Sequence, residues 1–194
     1  MSYRFSLFII LFYNVTFHSA TLYAQKNIAV TSKEKEKSFS NSPLFANDDI
    51  LHLKLTGKLN ELYKDISNNN SYHPLLLQYR QKDSSLVSIQ IRVKTRGHFR
   101  RMKGNCTMPP LYLDFSKGSK IKNTAFENQK KLKLVVPCQG DDYVIEEWLV
   151  YKLYNLISDK SFKARLVQVD FDDSLKRRKT ETHYCYLIEQ PRDP

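Results

Sequence analysis

The strongest constraint on how this chain folds is a two-residue alternation of apolar and polar side chains that recurs in short runs between Ile50 and Glu189. A period of two sends successive side chains to opposite faces of an extended strand, so each run describes a β-strand with one buried face. In Ile50–Thr56 the apolar face is Leu51, Leu53 and Leu55. In Ser88–Thr95 it is Ile89, Ile91 and Val93, with Gln90, Arg92 and Lys94 opposite. Leu111–Phe115 and Lys131–Val136 alternate as well, and Leu75–Arg80, Arg165–Phe171 and His183–Glu189 read as further strands. Lys82-Asp83-Ser84 is placed to turn one strand back on the next as a hairpin. Lys176-Arg177-Arg178-Lys179 reads as the solvated tip of another.

Two segments switch to the helical period. Leu59, Leu62, Tyr63 and Ile66 predict a short helix just after Gly57. Asp141-Asp142 opens a longer one, since carboxylates suit the free N–H groups and the dipole of a helix start. Its apolar stripe is Ile145, Trp148, Leu149, Leu153, Leu156 and Ile157. The expected fold class is therefore α+β, a mixed or antiparallel β-sheet packed against one main helix. Roughly 150 residues suffice for a single core. The domain is expected over 44–194, after a flexible polar lead-in at 25–43 that lacks apolar periodicity.

Residues 1–24 read as a signal peptide. Arg4 is their only formally charged side chain, and the apolar run Phe5–Tyr13 is far shorter than the roughly 20 residues a bilayer requires. Ala24 offers a small residue before a cut at Gln25; the alternative is an uncleaved anchor. The expected location is periplasmic or extracellular, with no transmembrane segment once the signal is removed. The chain carries a net charge of +11, one unit of which is Arg4. Such a charge favours an anionic ligand or envelope component. Nucleic acid suits it least, because no nucleic-acid motif is present and the compartment is wrong.

An oxidising compartment permits disulfides, and the three cysteines leave one thiol over. Cys106 and Cys138 sit in turn-like settings and are the expected pair; Cys185 lies in a strand and reads as a buried thiol. A zinc site of His98, Cys106 and Cys138 competes, without any C-x-x-C or H-x-x-x-H spacing. Asp170, Asp172 and Asp173 lack a calcium-loop pattern and read as the end of a strand.

Two constellations could carry chemistry. A strand lysine, Lys131 or Lys133, can hold phosphate oxygens while a helix carboxylate, Glu146 or Glu147, orients it. The basic loop Arg96-Gly97-His98-Phe99-Arg100-Arg101 offers forked guanidinium donors, with Gly97 allowing close backbone approach. Solvated lysines and an ordinary basic turn are the plain alternatives. No G-x-x-x-x-G-K loop, G-x-S-x-G elbow or H-E-x-x-H pair occurs.

Taken in order, RVKTRGHFRR at 92–101, Cys106 with Pro109-Pro110-Leu111, KLKLVVPC at 131–138, EEWLVYKLYNLISDKSF at 146–162, Arg165-Leu166 and YLIE at 186–189 resemble an uncharacterised family of exported bacterial proteins. Trp148 and Tyr186 stand where that pattern has Tyr and Phe. More distantly, the order is similar to the spore-coat-protein-H (CotH) type of atypical protein kinases. That resemblance implies the N-terminal lobe of a kinase, with Lys133 as the phosphate-holding lysine, Glu147 as its helix carboxylate and ATP with Mg or Mn as the cofactor. A kinase's catalytic aspartate and metal ligands would lie on a second lobe beyond Glu189. The resemblance thus implies an incomplete, non-catalytic lobe that binds a nucleotide or phosphate, with a missing C-terminal lobe as a candidate partner. The alternative is a basic envelope module docking an anionic partner through Arg92, Lys94, Arg100 and Arg101.

Overall fold

The computed structural model describes residues 42–102, 104–116 and 118–189; the expected signal peptide at 1–24 and nearly all of the expected lead-in at 25–43 lie outside them. Seven strands form: β1 Leu51–Gly57, β2 His73–Arg80, β3 Leu86–Thr95, β4 Leu111–Asp114, β5 Lys131–Val135, β6 Ala164–Asp173 and β7 Glu181–Glu189. Two helices interrupt them, α1 Leu59–Lys64 after β1 and α2 Asp141–Ile157 between β5 and β6. The expected turn between β2 and β3 is present. Asp83 accepts bonds from the Ser85 amide (3.0 Å) and hydroxyl (2.6 Å), and Ser84 takes φ 65°.

The expected α+β fold, a mixed or antiparallel sheet packed against one main helix, and with it the likeness to a kinase lobe, is overturned. The strands close into a barrel in the order β1-β2-β3-β4-β5-β7-β6. Closure is made by β1 and β6, which run parallel from Leu51↔Val167 to Gly57↔Asp173; the other neighbours are antiparallel. Pairing both edge strands satisfies their backbone groups within the fold. Alternation of apolar residues describes a strand with one wet face equally well in a sheet or a barrel, and nothing local in β1 announces a partner more than a hundred residues away.

The inward faces match the alternation: Leu53, Leu55, Ile89, Ile91, Val93, Leu132, Leu134 and Leu187 are all buried. At one end α1 adds Leu59, Leu62 and Tyr63 to this core, and the buried Asp173 receives the Asn60 amide at 3.3 Å. At the other end Phe126 stacks on Phe115 and meets Tyr79 edge-on. There the buried Arg165 donates to the carbonyls of Leu44 (2.8 Å) and Asp49 (3.0 and 3.1 Å). Cys185 is buried and free, as expected.

Helix α2 lies outside the barrel, on β6 and β7. Val144, Trp148 and Tyr151 pack on Val135, Ala164, Tyr186 and Ile188, a second and smaller apolar cluster. This corrects the expected stripe: of those six residues Trp148 faces the barrel, whereas Leu149, Leu153, Leu156 and Ile157 are exposed. Helix α2 is apolar around most of its circumference, so periodicity alone could not choose the buried side. No helix among the described residues is long and apolar enough to cross a membrane.

Candidate anion pocket on the outer face of the barrel

An open depression of about 350 Å³ lies where the outer face of β5 and β7 meets α2 and the loop after β3. Arg96, Gly97, Arg100, Lys133 and Glu147 all line it. Residues of both constellations, drawn from three separate segments, therefore converge. Arg101 does not line the pocket and donates instead to Asn68 at 2.8 Å.

Strand geometry explains each position. Leu132 and Leu134 point into the barrel, so Lys133 must point out. Its registered neighbours are Tyr112 on β4 and Ile188 on β7. Arg96 leaves the end of β3 with its amide bonded to the Pro110 carbonyl at 2.8 Å, and its guanidinium lies 5.2 Å from the centre of the Tyr112 ring. Gly97 then takes φ 83°, a conformation that a side chain resists, and a short 3-10 turn at Phe99–Arg101 follows. The Arg100 guanidinium reaches the Val136 carbonyl at 3.5 Å and the Glu147 carboxylate at 3.7 Å.

The loop is fastened from below. Cys106 and Cys138 form the expected disulfide, with Cα atoms 4.8 Å apart. It joins the segment after β3 to the segment between β5 and α2, so the arginine loop and the start of the helix share one covalent anchor. The competing zinc assignment loses both its thiolates, and no cluster of metal-ligating side chains occurs among the described residues.

The electrostatics are unbalanced. Lys133 is half-buried, and its ammonium lies 5.9 Å from the centre of the Phe162 ring. Among the described residues it has no carboxylate within ion-pairing distance. Burial and the repulsion of Arg96 both push its pKa below the ordinary lysine value. The pairing of Lys133 with Glu147 implied by the kinase resemblance is replaced by that of Glu147 with Arg100. Tyr186 lies buried beneath, its phenol held protonated by burial and by the neighbouring Glu147 charge.

Phe162, Tyr151, Tyr186 and Ile188 also line the pocket, and the sequence does not single them out. A usable sign was present for two of them. The run Tyr184–Ile188 is apolar on both faces of β7, which marks a strand covered on its outer side as well. The basic face expected on β3 is largely occupied by internal contacts. Arg92 bonds to the buried Asp114, and Arg92 and Lys94 both stack on Tyr72. The acidic cluster is a structural knot, with Asp172 accepting from Lys176 (2.7 Å) and Lys54 (3.0 Å).

Compared with known protein families, characterised proteins and solved structures, the chain has no significant match.

Proposed function

We propose that this is an exported protein whose outer-face pocket binds a phosphate-bearing anion without transforming it. The observation that supports the reading most is the proximity of two cations, Arg96 and Lys133, with no carboxylate paired to either among the described residues. Burial and then the charge of Arg96 disfavour the charge of Lys133, on a half-buried surface backed by Tyr112 and Phe162. Two neighbouring positive charges repel, and an anion between them relieves that repulsion. Arg100 supplies a third donor at the rim, held in reserve by Glu147. A forked guanidinium and a compact ammonium together suit the oxygens of a phosphate or pyrophosphate group.

Export accounts for the disulfide, because a bridge of this kind persists in oxidising compartments. The reading rests on the phosphate chemistry and no longer on a kinase lobe, so a nucleotide is one carrier of that group among several. The alternative docking face of Arg92, Lys94, Arg100 and Arg101 is less favoured, since Arg100 turns to the pocket and the other three already have partners within the protein.

Thermal melts test the reading. Pyrophosphate is expected to raise the melting temperature more than sodium chloride at the same ionic strength does, and Arg96→Ala is expected to abolish that difference. Equal effects of the two salts on the unaltered protein would rule the pocket out as an anion site.

A further inference from the structure

Beside the pocket, the outward side of α2 carries Leu149, Val150, Leu153, Tyr154, Leu156 and Ile157, all exposed; Leu156 is 82% and Ile157 79% accessible. An apolar surface of this extent on a folded domain marks a docking face. It is continuous with the pocket, because α2 contributes Glu147 and Tyr151 to the pocket wall and Phe162, 42% exposed, follows the end of the helix. The carboxylates on this side of α2, Asp142 and Glu146, lie in its first half, and Asp159, Lys160 and Lys163 follow its last turn, a net positive end.

We infer that this face docks the protein on an anionic lipid surface, with a lipid phosphate in the pocket and the last two turns of α2 lying among the headgroups and upper acyl chains. The inference rests on the phosphate-binding reading of the pocket. An amphipathic helix lying in a membrane interface buries an apolar face of this kind to a depth of about 5–10 Å. The charge argues for lipid over a second copy of the chain. Two strongly basic molecules repel, and a face-to-face pair would bring their cationic pockets together, whereas an anionic bilayer attracts both parts of the surface at once.

Vesicle flotation with the purified protein tests this, using phosphatidylcholine alone and phosphatidylcholine with a third of the lipid replaced by phosphatidylglycerol. Binding is expected to the anionic vesicles only. The double variant Leu153→Ser/Ile157→Ser is expected to weaken it about tenfold or more while its calorimetric binding of pyrophosphate stays unchanged. Lys133→Ala is expected to weaken anionic-vesicle binding about fivefold. Pyrophosphate binding without any vesicle binding overturns the lipid inference and leaves the phosphate reading standing; loss of both overturns both. Equal binding to the two vesicle types, or vesicle binding untouched by Lys133→Ala, also overturns it. So does a dimer in light scattering that the double variant splits, if no vesicle binding accompanies it.

Discussion

The Arg100 guanidinium and the Glu147 carboxylate face each other across the pocket at 3.7 Å, tying the loop after β3 to helix α2. Both side chains are partly exposed, about a third for Arg100 and 44% for Glu147. The pair therefore contributes little to stability, about 0.2–1 kcal/mol. Its greater consequence is competitive, because the carboxylate occupies a guanidinium that an incoming anion would use.

Glu147→Gln removes that competitor and one negative charge from the rim. Pyrophosphate affinity is expected to rise about two- to fivefold, corresponding to ~0.4–1 kcal/mol, while the melting temperature of the free protein changes little. Isothermal calorimetry beside a thermal melt checks both parts. A fall in affinity would show that Glu147 orients a cation for the ligand, as the kinase resemblance implied.

The disulfide between Cys106 and Cys138 closes a loop with a sequence separation of 32. Chain-entropy arguments assign such a closure roughly 2–4 kcal/mol of stability. Cys106→Ser with Cys138→Ser is expected to lower the stability measured in urea by about that amount. The loop carrying Arg96 and Arg100 is freed at the same time, so anion affinity is expected to drop even where the variant remains folded. Unchanged affinity in the folded variant would mean that the loop is positioned by its other contacts.

Asp172 sets an acid limit on stability. The bonds from Lys176 and Lys54 hold its carboxyl at about 2, against an ordinary 3.8. The folded value lies below the unfolded one, so the stabilisation is fully present above about pH 4 and is lost as the pH falls through the folded value. The shift corresponds to ~2 kcal/mol. Urea melts of the protein and of Asp172→Asn between about pH 5 and about pH 2 are expected to converge at the acid end. Parallel curves that never converge would remove Asp172 from the account of acid unfolding.

Much of this structure was legible in the chain, and the failures have physical causes. The strands were legible because Leu53, Leu55, Ile89, Ile91 and Val93 keep a strict period of two and all turn inward. Closure was not, because the pairing of Leu51 with Val167 joins distant segments without any local mark. The site was legible as chemistry, since Lys133 had to point outward once Leu132 and Leu134 pointed in. Its actual partner was not: Glu147 turns to Arg100, whose loop position depends on Gly97 and on the bridge at Cys106. The buried side of α2 also escaped, because Leu153 and Leu156 looked as fit for burial as Val144 and Tyr151.

The most direct test of the central claim is a calorimetric titration of pyrophosphate into the protein and into Lys133→Ala, with matching circular dichroism to show that both are folded. The structure predicts saturable binding that weakens about tenfold or more when the ammonium is removed, the loss of a charge-assisted contact of ~1.5–3 kcal/mol. No saturable heat with the unaltered protein, or the same affinity in both, would contradict the assignment of this pocket as an anion site.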